Sequence, residues 1–578
     1  MKRSILALSC VLLACGDDGT GPAEDMAAPE VDAGTPDLGP PPPFEPDSYC
    51  PGGEQCPSGN DGTLMVGTAM RDITPVIDDG TDVLTVDVNG NAIWDPRDGD
   101  EYLDANGNGV FDPVLIAGFG SPRPASGVHD PQWARAVVMR NGDVTIAMVA
   151  LDTFSIFFDD VEVMRELLAD TEVDYMTACA SHSHQAADTL GIYGLDTSTS
   201  GVDPAYLDRV RAEAAGAVRD ALADMRAANV QYSTFRFRDQ PGGMLRYVSD
   251  NRHPIIIDDE ARIVRFTEAG TETTIATVVN FASHAEYWGS RNSLLSSDFV
   301  HWLREGIESG VTGPDGEEVP GVGGSALFFE GALGSQIGPQ QIEPETWDGT
   351  PVETDSMEAT EVVGEQMAYF VLQALGDGGG SVTDETAELG YRHRSFFVDV
   401  ENRGFHIAFL NELFIRQGYN WDPDRVLRPG INEPDVLTEV AVIDIGRLQL
   451  QLIPGEIDPS LFIGGYDGSH TPDGAAIVDE TEENAPDLTM APEGPYLRDL
   501  ARPDAEFVGI LGLANDEIGY LLPDFDYVLL NDDPDSPLAY LVQAEGQHYE
   551  ETNSIGINGW SRVKAQIEQL LAWVPEGD

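Results

Sequence analysis

The chain has 578 residues, 42% of them apolar, and a formal net charge of -70 at neutral pH. That length and apolar content support a large buried core in one or two domains. The charge excludes nucleic acid and anionic membrane surfaces as electrostatic partners, because both would be repelled. No lysine lies between Lys2 and Lys564. An acidic, lysine-free surface suits a salty or calcium-rich exterior, and the coding bias of a GC-rich genome accounts for the arginines equally well.

Lys2 and Arg3 precede a short apolar stretch from Ile5 to Ala14, and Leu12-Leu13-Ala14-Cys15 resembles a bacterial lipobox, whose cysteine is lipidated. Residues 1–15 are therefore expected to be a lipoprotein signal, with Cys15 holding the exported protein on the bacterial cell envelope, on the periplasmic or surface side. No other apolar run is long enough to span a bilayer. Residues 16–62 are rich in Pro, Asp, Gly and Ala, contain no basic residue, and read as a disordered acidic tether. Cys50 and Cys56 bracket a Pro/Gly-rich loop and are spaced for a local disulfide in an oxidising space. Cys179, inside an apolar run, reads as packed core.

Folded pattern begins near Leu64, and residues 63–578 read as one large mixed α/β domain in which short β-type runs alternate with helical ones. Expected strands include Val144 to Leu151, Ile275 to Phe281 and Arg447 to Ile453. Expected helices are Asp160 to Leu168, Pro204 to Ala228, Asp298 to Ile307, Met357 to Leu375 and Trp560 to Trp573. Residues 85–113 look inserted. There Asp87-Val88-Asn89-Gly90-Asn91 and the run from Asp104 to Asp112 place oxygen side chains at alternate positions with glycines between. Asp104, Asn106, Asn108 and Asp112 have the spacing that wraps a loop around calcium, although no glutamate closes the loop at its twelfth position; an Asx-rich turn cluster is the alternative.

The chemistry-bearing signal is Cys179-Ala180-Ser181-His182-Ser183-His184, which follows a strand-like run. Side chains at i and i+2 of a strand share a face, so both imidazoles can reach one ion or substrate. A third histidine, His284, ends the similar run Val278-Val279-Asn280-Phe281-Ala282-Ser283. Glu456, in Pro454-Gly455-Glu456, follows the strand Leu448 to Ile453. Asn515 and Tyr520 follow the apolar run Phe507 to Leu513, and His548-Tyr549-Glu550 precedes the last helix. Asp152 ends another strand and reads as a hydrogen-bond acceptor near the site. The remaining histidines, His129, His253, His301, His393, His406 and His470, read as satisfied core rings.

Taken in order, these segments resemble the neutral/alkaline ceramidase family of zinc amidases over most of residues 64 to 574. The resemblance includes the opening Gly67-Thr68-Ala69…Asp72-Ile73-Thr74 and the Ser296-Ser297-Asp298 that follows His284. It implies the large mixed α/β catalytic domain of that family and a zinc ion held by His182, His284, Glu456 and Tyr520. It further implies that His184 and Tyr549 lie beside the metal and contact the substrate carbonyl, and that Arg246 is a basic residue of the substrate cleft. The implied reaction is hydrolysis of the N-acyl bond of ceramide-type lipids to a fatty acid and a sphingoid base. Two departures stand out. Where the family carries an Asn-x-Gly-Asp segment after serines, this chain has Glu330-Gly331-Ala332-Leu333-Gly334-Ser335, which leaves another acyl amide or ester as an alternative substrate. The β-sandwich (immunoglobulin-like) domain with which many members continue is not expected here. A non-catalytic surface lipoprotein is the remaining alternative.

Overall fold

In the Trp133–Asn141 strand Val137 and Met139 face one way, Ala134, Ala136 and Val138 the other, and all are buried. The neighbouring Val144–Leu151 strand divides in the same manner: Ile146, Met148 and Ala150 share a core with Val137, while Ala147, Val149 and Leu151 join that of Ala136. A strand covered on both faces has no reason to alternate in polarity, so its sequence is a continuous apolar run. Each fully buried large apolar side chain contributes about 1.5–3 kcal/mol of transfer free energy.

The computed structural model describes residues 44–575 apart from 121, 339–341, 343, 377–379, 429, 531–533, 535 and 537. A nine-stranded sheet runs, edge to edge, through Tyr175–Ala180, Val144–Leu151, Trp133–Asn141, Leu64–Asp72, Arg226–Arg236, Glu260–Glu268, Thr274–Phe281 and Ser325–Glu330. Val382–Asp384 pairs with Arg226–Arg236 off this path. A five-stranded sheet is ordered Ser48–Cys50, Leu389–Asp399, Asp435–Ile445, Leu448–Leu452, Phe507–Leu511. The sheets pack face to face through one core that joins Val137, Ile146, Val264 and Phe329 to Ile443, Leu450 and Leu452. The outer face of the large sheet carries two helix pairs, Phe158–Leu167 with Pro204–Ala223, and Phe299–Ser309 with Met357–Leu375. The Gly559–Ala572 helix packs on the small sheet, where Leu570 O accepts from Arg392 Nε at 2.9 Å.

Three strand pairs are parallel in these largely antiparallel sheets: Tyr175–Ala180 with Val144–Leu151, Thr274–Phe281 with Ser325–Glu330, and Leu448–Leu452 with Phe507–Leu511. The large sheet curls, so that Arg135 on an inner strand donates to Ala326 O on the far edge strand at 2.9 Å. Its two ends thereby approach each other. The gap between them is closed by the segment after Phe507–Leu511: Gly512 N donates to Glu330 O at 3.2 Å and Asn515 N to Ala178 O at 2.8 Å.

The mixed α/β class expected from the sequence is what the chain adopts, and the helices start where polar residues cap them. Asp203 accepts from Ala205 N ahead of Pro204, Ser356 accepts from Ala359 N, and Asp298 accepts from Phe299 N. Two differences from the sequence expectation go beyond a shift of one or two residues at an element's end. The helix from Pro204 ends at Ala223, not Ala228, and Arg226–Arg236 is a strand. Ala228, Val230 and Tyr232 bury their side chains between the sheets with period two, which overrides the local helical preference. This helix lies directly on Leu64–Asp72 at Gly67, where a Cβ would come within 2.0 Å of Ala221 O.

The tether is the second difference. Residues 1–43, with the lipobox, lie outside the described residues, but contacts gather the chain from Glu45 onward into one unit. Ser48–Cys50 pairs with Tyr391 to His393, and Cys50 is disulfide-bonded to Cys56. Strand pairing and the cross-link hold a segment whose composition alone reads as unstructured. Cys179 is a buried free thiol pushed up to about 12 by burial. In the inserted segment Asp104 accepts from Gly107, Asn108 and Gly109 N, and the Asn106 and Asn108 amides donate to Asp112 at 2.9 and 3.0 Å. These bonds tie the loop's carboxylates and amides to its own backbone and to one another.

Candidate metal centre

All four segments of the expected ligand set leave the C-terminal ends of parallel-paired strands, the end at which ligands collect in sheets of this kind. His182 lies two residues beyond Ala180 with a left-handed φ of 56°. His284 lies three beyond Phe281, Glu456 follows the Pro-Gly turn after Leu452, and Tyr520 follows the segment that closes the gap in the large sheet. Backbone bonds tie these loops to one another. His184 N donates to Ala285 O at 2.9 Å, His284 N to Gln336 O at 3.1 Å, Glu456 N to Gly519 O at 3.2 Å and Leu513 N to Gly455 O at 3.0 Å.

The side chains converge. His182 Nδ1 lies 2.9 Å from Phe154 O and His284 Nδ1 3.2 Å from Gln336 O, so both rings carry their proton on Nδ1 and keep the Nε2 lone pair for a ligand. Glu456 Oε2 is 2.9 Å from His284 Nε2 and 3.5 Å from His182 Nε2, and Tyr520 Oη is 3.4 Å from His284 Nε2. Donors around a tetrahedral zinc, at about 2.0–2.1 Å from the ion, stand about 3.3 Å apart. The set fits such an ion in chemistry and in spacing. Candidate ligand atoms of His182, His184 and His284 lie within 4.8 Å of one another, and all three residues are buried. A buried metal can be held here.

Electrostatics favour a cation. Burial alone would raise the Glu456 carboxyl, but His182 and His284 override it and hold the group below the usual carboxylate range. Burial lowers His284, and lowers His184 well below the ordinary imidazole value with help from His182, His284 and Arg123. Neutral imidazoles and an ionised carboxylate are the states in which these groups bind metal. Burial pushes the phenols of Tyr520 and Tyr549, 3.4 Å apart, well above their ordinary value, with Glu456 next in effect on Tyr520 and Glu550 on Tyr549.

Arg246 is not brought to this centre. Its Nη2 donates to Glu345 O at 2.6 Å and Thr346 O at 2.7 Å, so it ties down a surface loop. A different arginine from the same stretch, Arg252, reaches the Tyr549 segment, pairing with Glu550 at 3.1 Å, Glu551 at 2.8 Å and Asp526 at 3.1 Å. Asp152 forms a bidentate pair with Arg304 at 2.6 and 2.8 Å and accepts from Ser297 Oγ, so it braces the helix start after Asp298 and does not contact the histidines. Asn515 is structural: its Oδ1 accepts from Thr177 Oγ1 and Ala178 N, its Nδ2 donates to Tyr175 Oη and Glu439.

Two residues at the centre carry no sequence signal of the kind used above. Arg123 is fully buried, is lowered to about 9 by burial, and donates to the backbone oxygens of His184 and Ala117. Glu286, two residues after His284, has Oε2 3.3 Å from His184 Nδ1. A buried acid next to a metal-ligand candidate is a signal in retrospect, but its partner lies a hundred positions away. Glu330 and the loop to Ser335 adjoin His284: Glu330 Oε2 accepts from Ser283 N at 3.2 Å, and Gln336 O holds the His284 ring.

No protein-family model and no curated protein sequence matches the chain. Among solved structures it is similar to the neutral ceramidase from Pseudomonas aeruginosa, with a TM-score of 0.54 and 15% identity over 89% of this chain and 74% of that one. A structure described as a ceramidase complexed with C2 gives a TM-score of 0.54 and 15% identity over 88% of this chain and 75% of that one. The chain has the neutral ceramidase fold.

Proposed function

We propose that the protein is a zinc-dependent amidase that hydrolyses the N-acyl bond of ceramide-type lipids to a fatty acid and a sphingoid base. The observation that carries this reading is the convergence of His182, His284, Glu456 and Tyr520 at 2.9–3.5 Å contacts, with both Nδ1 atoms tied to backbone carbonyls. The shared fold supports the substrate class. In this reading the four residues hold zinc, which when bound supplies the Lewis acidity that makes water nucleophilic near neutral pH. His184 and Tyr549 face the scissile carbonyl. Tyr549, kept protonated by burial, donates to the carbonyl oxygen as negative charge develops there. His184, kept neutral by burial, has one N–H and one lone pair, and exchanges a proton with the reacting atoms or the departing amine.

The test is zinc analysis of the purified protein together with fatty-acid release from a short-chain ceramide. Zinc bound near one per chain with release of fatty acid supports the reading; zinc-replete protein that leaves every N-acyl lipid and N-acyl amino acid intact overturns it. A second reading, a zinc hydrolase of another acyl amide or ester, is favoured by the Glu330–Ser335 loop, whose departure from the family pattern lies against His284. Parallel panels of acyl amides and acyl esters separate the two.

Export with lipid attachment at Cys15 belongs to the same proposal, since it would hold the enzyme beside a bilayer that contains its substrate. The Cys50–Cys56 disulfide suits an oxidising compartment. Metabolic labelling with palmitate, lost in Cys15→Ala, checks it.

A further inference from the structure

Arg123 lies in the short strand Arg123–Pro124, paired with Leu115–Ile116, and its side chain is fully buried. Its hydrogen-bond acceptors are all neutral oxygens. Nη2 donates to Ala117 O and His184 O, and Nη1 donates to Gln185 Oε1 at 3.1 Å and Asn292 O at 3.2 Å. Nε has no partner. Burial lowers the guanidinium to about 9, against smaller electrostatic effects of Tyr193 and Glu286. Arg252 and Arg304, buried to the same degree, each pair with carboxylates. A buried charge without an opposite charge is costly, and an amide or an apolar side chain would fill the site at less cost. What the guanidinium adds is a planar fork of donors that a shorter amide lacks.

That fork joins three loops around one residue. Ala117 follows the Leu115–Ile116 strand, His184 and Gln185 follow Tyr175–Ala180, and Asn292 precedes the Phe299–Ser309 helix. Gln185 extends the grip by accepting from Asn292 Nδ2 at 2.9 Å. Arg123 reaches His184 by a second route as well. Its Cζ lies 4.8 Å from the Phe119 centroid, and Phe119 meets the His184 ring edge-on at 4.8 Å. Phe154 closes another side at 5.2 Å, and Gly118 packs so tightly that a Cβ there would lie 2.5 Å from the imidazole Cγ. The polar edge of the ring is held by nothing comparable. Nδ1 of His182 and of His284 faces a backbone carbonyl, whereas neither His184 nitrogen has a partner in full hydrogen-bond geometry, and Glu286 Oε2 approaches Nδ1 only at 3.3 Å. The placement of this imidazole therefore comes from its backbone and from the faces packed on it.

Resting on the amidase reading, we propose that Arg123 is the positioning residue of His184: its guanidinium fixes the backbone at the His184 carbonyl and backs the Phe119 ring that packs on the imidazole. Arg123 touches neither substrate nor metal in this role. It acts by keeping His184 where a scissile carbonyl would meet it. Misplacing a reacting group by about 1 Å is enough to cost about 10²-fold in rate.

The experiment places Arg123→Lys, which keeps the charge and loses the fork, in the wild-type and His184→Ala backgrounds of the zinc-loaded protein. In the wild-type background kcat is expected to fall by about 10²-fold with KM and zinc content little changed. In the His184→Ala background the same substitution should alter the residual rate by less than about twofold, because the two residues act as a unit. In protein labelled with ¹⁵N-histidine, the His184 ring signals, identified by their absence from His184→Ala, should shift or broaden in Arg123→Lys while those of His182 and His284 stay in place. An equal loss of kcat in both backgrounds overturns the proposal, since Arg123 would then support the fold in general. So does an unaltered His184 signal, and so does loss of zinc, which would place the effect of Arg123 at the metal. Should Arg123→Lys not fold, Phe119→Leu, which buries no new charge, runs the same cycle and the same spectra with the same outcomes deciding. If the wild type cleaves no acyl amide, the amidase reading fails, while the histidine spectra still decide whether Arg123 fixes the His184 ring.

Discussion

Glu456 and Tyr520 stand opposite each other in a two-residue parallel ladder, so backbone pairing sets a carboxylate and a phenol side by side at the candidate metal centre. Glu456 N donates to Gly519 O, and Asp458 N to Leu521 O at 3.0 Å, which fixes that register. Geometry imposed by main-chain bonds needs little side-chain ordering when an ion binds.

Removing a ligand should remove the metal. His182→Ala and Glu456→Gln are each expected to bind zinc at least tenfold more weakly and to lose detectable amide hydrolysis, as read by metal analysis after dialysis and by fatty-acid release. Chelation of the wild type should lower its thermal midpoint as well, because a ligand at 100 times its Kd stabilises the folded state by about 2.7 kcal/mol.

Tyr549→Phe takes away one hydroxyl donor and leaves the four ligands intact. The expected loss is about 10²–10³-fold in kcat, or about 2.7–4 kcal/mol of barrier, with zinc content and KM little changed. Loss of zinc in this variant would instead mark the phenol as a ligand.

Arg252 is the cation among Asp526, Glu550 and Glu551, all buried. Arg252→Ala strands these carboxylates and is expected to cost about 3–5 kcal/mol, read as a lower denaturant midpoint. Arg246→Ala, whose partners are the Glu345 and Thr346 carbonyls and the partly exposed Glu345 carboxylate at 3.6 Å, should cost far less and leave kcat within about twofold, since truncation away from such buried networks is usually mild.

Burial raises Asp298 to about 7 from an unfolded value of 3.8. Between those values the folded chain holds more protons than the unfolded one, so this group's contribution to stability falls as pH rises, by up to about 1.4 kcal/mol per unit, and levels off above pH 7. Asp298→Asn keeps an acceptor for Phe299 N and cannot ionise. Equilibrium unfolding at pH 4, 5.5 and 7 should show the variant gaining on the wild type as pH rises.

Particular residues show how far the sequence could be read. The Val144–Leu151 strand and the Met357–Leu375 helix stand at the expected positions, because burial on both faces, or a polar cap before an apolar stripe, is written in local order. His182 and His184 meet at the centre although the strand ends at Ala180 and His182 turns with a φ of 56°, so the loop beyond the strand, and not a strand's two-residue repeat, brings the two rings together. Sequence places Arg246 and Arg252 in one stretch, and only the fold decides that Arg246 meets Glu345 and Thr346 while Arg252 pairs with Glu550 and Glu551.

The amino-acid order by itself determined the α/β class, the acidic surface and the residue types able to hold a metal, all properties of composition and short-range periodicity. Tertiary structure alone decided that Ser48–Cys50 joins a sheet, that the Pro204 helix stops at Ala223, and that Glu286 and Arg123 meet at His184. Those outcomes depend on contacts between segments far apart in the chain. Their free energy comes from burial and pairing that exist only once the sheets have closed.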